Sequence, residues 1–468
     1  MATIFEEFKK LKEKEWFESK YEPELVIEGP LTEEKIRKIS EIKNEPEWML
    51  EKRLEGLKAF KSLPMPSFGP KLDINFDEIT YFASPISYPK PKKWEELPQF
   101  IKEAFIKLGL SKEEAEMLAG VEFQFDSVPV FKKIKKKLEE YGIIFMSMDE
   151  AVNEYPEIVK KYFAKVISPY ENKFAALNTA VWSGGAFIYV PKNVKLDFPL
   201  HAYFRINLEK IGQFERTLII AEENSEVTYV EGCSAPIYSA SSLHAAVVEV
   251  IAMKNSKVKY FTLQNWSKNV YNLVTKRAIV EDNAKVQWVS VELGSKATML
   301  YPSLILKNNA IGEIYNLSIA YEDQHIDSGG KLIFIGSNSK GLIVSKSIAI
   351  GKNAIATSRF DIKVTKNAKN STIISKCDSL SIDNGRVETV PRIIVDNKDC
   401  YFNHEGKSEI IDEERLFYLK SKGLDENIAK RLIFFGFFED VTKTLPDFFR
   451  LEVNKLLSIE LEEYGGFG

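Results

Sequence analysis

NSEVTY (224–229), NSKVKY (255–260), NAKVQW (283–288), NAIGEIY (309–315), NSKGLIV (338–344) and NAKNSTI (367–373) decide how this chain folds. Each joins an Asn and a small residue to a short β-rich run. Successive Asn residues stand 31, 28, 26, 29 and 29 positions apart. A period of that length made of strands and turns, with no helix between them, predicts a β-solenoid. Asn suits the corner because it tolerates left-handed backbone angles and bonds its own main chain. A β-sandwich with fortuitous Asn turns is the alternative, and six markers in near-constant register count against it.

In a solenoid, equivalent positions stack one strand spacing apart. Cys233, Gln264 and Glu292 each follow their Asn by nine residues, so they are expected in one column. Cys377 follows Asn367 by ten, and the apparent extra residue in NAKNSTI assigns it to the same column; a one-residue slip would turn it to the other face. Cys233 and Cys377 are 144 residues apart. That is roughly five coils, or about 24 Å along the axis, too far to share one metal ion.

Outward from the repeat, the first third reads as helical. Residues 32–63 carry helical spacing interrupted at Pro46, with Thr32 as N-cap and Lys35 where a capping box would need Glu. The proline- and aromatic-rich 64–95 suggests an extended strap, followed by helix at 97–119 and 148–165. After the repeat, 406–468 returns to amphipathic helices, one starting after Asp425. IFFGFF (433–438) is read as core, or as a docking face. The expected organisation is 1–165, 166–405 and 406–468.

With 468 residues, 44% apolar and 28% charged, the chain can bury a sizeable core. A net charge of −4 argues against nucleic acid as partner, and the basic run FKKIKKKLEEYG (131–142) is read as a solvated helix face. The opening MATIFEEFKKLKEKEWF lacks an apolar leader core, and no stretch is apolar enough for a membrane. Three cysteines make no disulfide framework, so a reducing compartment, the cytoplasm, is expected. Cys377 in KCDSL, then Cys400, His404 and Glu405 in DCYFNHEGKSE, offer thiolate, imidazole and carboxylate, which are iron ligand types. The GKS at 406–408 is not a phosphate loop, because Tyr401 stands where its glycine is needed. No enzyme activity with a nucleotide site of its own is expected.

KNEPEWMLEKRL, FDEITYF, AALNTAVWSGGAFIYVPKNV, YFRIN, GQFERTLIIAEENSEVTYVEGCSAP, LHAAVVEV, QNW, VTKRA and KCDSL together resemble the SufB scaffold subunits of the SufB/SufD family, from about residue 30 to the end. The resemblance implies a right-handed parallel β-helix between helical N- and C-terminal domains. It implies partners: the SufC ATPase on the C-terminal helices, SufD or a second SufB copy, and a cysteine desulfurase with its sulfur carrier. It implies that Cys233 accepts persulfide sulfur and that Arg205, Asn207, Gln264, Trp266 and Lys276 line the sulfur path. Cys377, with His404 and Glu405, would hold a transient iron–sulfur cluster, and a reduced flavin is the further cofactor considered. Arg205 and Lys276, if beside Cys233, would lower its pKa. Two departures stand out: Asn403 replaces the Glu that many relatives carry before the His, and the N-terminal region has no cysteine motif. Cys400 is read as structural.

Two other readings compete. A polysaccharide-active β-helix enzyme needs paired carboxylates, with Glu292, Glu313 and Asp327 as candidates. A passive subunit of the SufD kind needs neither Cys233 nor Cys377.

Overall fold

Stacked short strands should pair with the equivalent strand one coil on, and they do. The structure is a computed structural model that describes residues 23, 25–84, 120–125, 128–134, 136–206, 210–234, 241–411, 413–446, 449–451, 453–454 and 456–458. The helix expected over 97–119 and the path residue Asn207 lie outside the described residues. The described chain is a parallel β-solenoid of about seven turns, with helices flanking it at both ends of the chain.

One wall, here the front wall, stacks Leu200–Arg205, Glu226–Ser234, Lys257–Trp266, Lys285–Gly294, Ile311–Ala320, Lys340–Ile350, Ser371–Ile382 and Cys400–Ile410 in parallel. The back wall runs from Ala186–Val190 through Arg216–Ala221, Val247–Ala252, Val270–Val280 and the pair Ala297–Leu300 and Ser303–Leu306 to His325–Phe334, Ile355–Val364 and Arg386–Val395. Five of the six marker Asn residues hold the expected left-handed corner: Asn224, Asn255, Asn283, Asn309 and Asn338, with φ between 53° and 60°. Their side chains bond from coil to coil, as in Asn255 Nδ2 to Asn224 Oδ1 at 2.8 Å and Asn283 Nδ2 to Asn255 Oδ1 at 3.1 Å. The sixth corner is Asn370 (φ 52°), not Asn367. The coil carries its extra residues before the corner, so counting from Asn367 miscounts the strand that follows.

Side chains alternate across each strand, which divides the interior of the front wall into four columns. Two are apolar. Val227, Val258 and Val286 stack in one, and Tyr229, Tyr260 and Trp288 in the next, with ring centroids 5.1 and 4.7 Å apart. The other two are polar: Glu231, Thr262, Ser290, Asn316, Ser345 and Cys377; then Cys233, Gln264, Glu292, Ser318, Ser347 and Ser379.

Helices Glu33–Ile42 and Glu47–Ser62 flank the solenoid with Lys173–Val181. Thr32 caps the first, accepting from the Lys35 amide at 3.3 Å. The approach is close: a Cβ on Gly56 would stand 2.6 Å from the Ala180 nitrogen. Residues 64–84 lie as an extended segment over the back wall, where Tyr271 Oη donates to the Asp73 carbonyl at 3.0 Å. The basic run at 131–142 is not one helix: 131–134 belong to the strand Val128–Ile134, which pairs with Gly120–Phe125, and only Lys136–Glu140 is helical. At the other end, helix Glu426–Thr442 seals the outer face of the front wall. Phe434 and Phe438 of IFFGFF are buried there against Phe261, Val289 and Ile348, so this segment is core.

Candidate functional site

The sequence EGC (231–233) sets the site by alternation. Glu231 and Cys233 point inward, while Gly232 faces outward under the Tyr203 ring, where a Cβ would come within 2.8 Å of the ring. The expected column is present, because Cys233 pairs with Gln264, and Gln264 with Glu292. Gln264 Nε2 donates to Cys233 Sγ at 3.3 Å and to Thr262 Oγ1 at 2.7 Å. Its Oε1 accepts from Trp266 Nε1 at 2.8 Å. Lys276 reaches in from the back wall, 3.3 Å from Tyr260 Oη and 3.5 Å from Glu231 Oε1.

Two residues that sequence reasoning missed complete this chamber. His244 ends the short strand Ser242–His244, and Glu215 precedes Arg216–Ala221. His244 Nε2 lies 2.9 Å from Glu215 Oε2, and its Nδ1 lies 2.7 Å from Asn272 Oδ1. Cys233 Sγ, His244 and Glu215 offer ligand-type atoms all within 4.8 Å of one another, the one such set of three among the described residues. His244 stands in the quoted LHAAVVEV stretch and Glu215 in GQFER; both strings were visible, but nothing local marked them as neighbours of Cys233.

Burial governs the electrostatics here. The Cys233 thiol is 4% exposed. Burial, then the Glu231 and Glu215 carboxylates, push its pKa well above the usual thiol value, against Lys276 and the Gln264 hydrogen bond. The expected lowering by nearby cations is therefore corrected: desolvation and two carboxylates outweigh one ammonium. Arg205 is fully buried but pairs in register with Ser234, so alternation turns it to the opposite face of the wall from the thiol. Burial works against charge on His244, yet Glu215 and the bonds to Glu215 and Asn272 hold its pKa above the usual value. Burial pushes Glu292 up to about 7, opposed by Lys276, His244 and the Asn272 amide.

Cys377 is fully buried five strands further on. It pairs with Ser345, so it stands in the column of Glu231, two residues from that of Cys233; Ser379 occupies the latter. The shift follows from the Asn370 corner and keeps the thiol on the inner face, because a shift of two preserves the pleat. Its Sγ lies 3.4 Å from Thr389 Oγ1 and 3.9 Å from Ser379 Oγ. Gly406 stands directly over it in the last coil, and a Cβ there would meet only His404 Nε2, at 4.0 Å. His404 shares the inner face, with Nδ1 2.8 Å from Ser375 Oγ. Glu405 does not join them. It pairs in register with Lys376 on the outer face and accepts from Asn403 Nδ2 at 2.8 Å. Cys400 Sγ donates to the Asn397 carbonyl at 3.2 Å, away from both sites.

Between the thiols runs a file of buried hydroxyls and amides. Ser345, Ser358, Ser347 and Ser379 are linked at 3.0, 3.4 and 2.9 Å. The hydroxyls of Ser318 and Ser328 are buried with no protein partner. The carboxylates a glycosidase would need are scattered. Glu292 lies inside, Glu313 binds Lys285 and Gln287 on the outer face of the front wall, and Asp327 is held by Arg359 under the 64–84 segment. No helix among the described residues is long and apolar enough to cross a membrane.

Comparison with known proteins agrees with this architecture. Residues 204–437 match the family described as SUF system FeS cluster assembly, SufBD core domain, and residues 125–202 match the SufBD protein N-terminal region. An iron–sulfur cluster assembly SufBD family protein of Staphylococcus aureus strain USA300 is 48% identical over 438 residues, covering 93% of this chain and 94% of the relative. The corresponding protein of Staphylococcus haemolyticus strain JCSC1435 matches to the same extent. The chain belongs to the SufBD family of iron–sulfur cluster assembly proteins.

Proposed function

We propose that the chain is a scaffold of the SufB type: sulfur enters at Cys233, travels along the polar file, and is built with iron into a cluster at Cys377. The observation that carries this reading is the pair of thiols at opposite ends of one file of buried polar side chains, beside an apolar stack that holds the wall together. In the first step the Cys233 thiolate attacks the outer sulfur of a donor persulfide. A new S–S bond forms at Cys233, the donor's S–S bond breaks, and the donor leaves as a thiolate. The high thiol pKa means that this step needs a base or a donor-induced rearrangement; His244 and Glu215 stand within reach.

No cysteine lies along the file between the two thiols, so sulfur does not hop from thiol to thiol. Sulfane sulfur becomes hydrosulfide only with two electrons from an outside reductant, of which a reduced flavin is one. The buried hydroxyls of Ser318 and Ser328 supply hydrogen bonds for such an anion.

Cys377 and His404 are the proposed ligands from this chain, with Glu405 at the same edge. Clusters normally take four ligands, so a second subunit supplies the rest. Its docking place is the open end of the solenoid. Arg386–Val395 and Cys400–Ile410 are edge strands, with Tyr401 61% and Ile410 77% exposed, and an unpaired strand edge is a template for another chain. The second subunit is SufD or another copy of this chain. Exposed Phe417, Tyr418, Ile428 and Leu432 on the C-terminal helices suit the SufC ATPase. The scaffold is the middle part of the expected division at 1–165, 166–405 and 406–468, with its last strand, Cys400–Ile410, carrying the solenoid past 405.

The test uses the full chain in complex with its ATPase, a desulfurase, its carrier and labelled cysteine. Wild-type protein is expected to carry label as persulfide and to develop the cluster chromophore anaerobically. Normal labelling of Cys233→Ala would refute the sulfur route, and the passive reading would gain.

A further inference from the structure

We propose that Glu215, Cys233 and His244 form a mononuclear site for a divalent transition-metal ion. The three ligand atoms come from three separate strands or strand ends and lie within 4.8 Å of one another. Atoms bound to one tetrahedral ion stand roughly 3.3–3.8 Å apart, from bond lengths near 2.0–2.3 Å. The thiol and its neighbours need to close by about 1.5 Å at most, and the His244–Glu215 pair, at 2.9 Å, to open by about 0.5 Å.

A supporting shell is already built. Asn272 Nδ2 donates to Glu292 Oε2 at 3.1 Å and to Thr298 Oγ1 at 3.4 Å, which orients the amide oxygen toward His244. That oxygen takes the proton of Nδ1 at 2.7 Å, so Nε2 is the nitrogen turned toward carboxylate and thiol. A ligand imidazole whose second nitrogen donates to a fixed acceptor is the usual arrangement at metal centres. An independent observation points the same way. Glu215 is 3% exposed, and its Oε1 has no protein hydrogen-bond partner. Glu231, also buried, places a further carboxylate beside Lys276 and the thiol, which favours an added cation.

The donors are one sulfur, one imidazole nitrogen and one carboxylate oxygen. That set suits Zn²⁺, Fe²⁺ or Co²⁺ and not Mg²⁺ or Ca²⁺, which take oxygen ligands. Three protein ligands leave a fourth position open. Binding expels the thiol proton, and any proton on Nε2, to solvent, so affinity rises with pH. The site stands on geometry and does not depend on sulfur arriving at Cys233. If sulfur does arrive there, a bound ion blocks it by occupying the thiolate.

The experiment titrates the full chain anaerobically with Co²⁺ in a Cys377→Ser/Cys400→Ser background, where Cys233 is the sole thiol. A near-ultraviolet thiolate-to-cobalt charge-transfer band saturating at one ion per chain is expected. Absence of that band overturns the proposal. Asn272→Ala leaves all three ligands in place and is expected to weaken Co²⁺ binding about 10–100-fold; unchanged affinity in both Asn272→Ala and His244→Gln overturns the assignment. X-ray absorption of the Zn²⁺-loaded background protein needs no change in the ligand set. One sulfur and a nitrogen/oxygen shell are expected, and a shell without sulfur sinks the site. Sulfur acceptance, measured on metal-free protein, stands or falls separately.

Discussion

Cys233 and Cys377 occupy the same inner face of the same wall, five strands apart, and their surroundings are opposite in kind. Around Cys233 stand Glu215, Glu231, His244, Gln264 and Lys276, so its proton is under electrostatic control. Around Cys377 the described polar neighbours are the neutral hydroxyls of Ser379 and Thr389, and the position above it is Gly406 at the open end of the solenoid. A charged, enclosed pocket suits accepting and holding one atom by proton transfer. A thiol among hydroxyls beside an open edge suits sharing a larger object with a second subunit. The same contrast recurs across the interior: an aromatic and aliphatic stack on one side holds the coils together, and a file of hydroxyls lies on the other.

The sharpest way to break the comparison is to delete each thiol in turn. Cys377→Ala is expected to abolish chromophore formation from iron and free sulfide in the reconstituted complex, while label still reaches Cys233. Cys233→Ala is expected to keep the chromophore from free sulfide and lose the label. Identical behaviour of the two variants would erase the distinction.

Next come the two sides of the interior. Trp288→Ala, in the apolar stack, is expected to cost about 3–5 kcal/mol in denaturant unfolding. Ser347→Ala, in the hydroxyl file, is expected to cost about 1 kcal/mol yet to slow cluster formation from persulfide. A Ser347→Ala protein with wild-type kinetics would show the file to be only structural.

Glu292 sharpens the charged end. Its folded pKa, about 7, lies above the ordinary value of 4.5. A protonated Glu292 therefore favours the fold below about pH 4.5, and that contribution, about 3 kcal/mol, is lost as pH rises through 7. Glu292→Gln is expected to flatten this fall in stability between pH 4.5 and 8, read as Tm against pH. An unchanged slope would mean that Lys276 and His244 already keep the carboxylate charged.

The smallest effect tests the register that separates the thiols. Asn370→Ala is expected to cost about 1–2 kcal/mol, because a residue with Cβ and no compensating amide must hold the left-handed corner. Asn367→Ala is expected within about 0.5 kcal/mol of wild type. Equal costs would return the corner to Asn367.

The sequence by itself determined the solenoid, its period and the column of Cys233, Gln264 and Glu292, because a repeated corner residue counts off the strand that follows it. It also marked IFFGFF as apolar enough to need covering. Counting fails where a coil carries extra residues: only the backbone shows that Asn370 takes the left-handed corner, and so only the structure sets Cys377 two residues from the column expected for it. The separation of His404 from Glu405 onto opposite faces was implicit in their adjacency, but it needed the strand to be real. Tertiary structure alone decided the meeting of Glu215, Cys233 and His244. Those residues approach because parallel coils bring distant segments within one strand spacing, and their burial, which no linear reading measures, reverses the expected shift of the thiol.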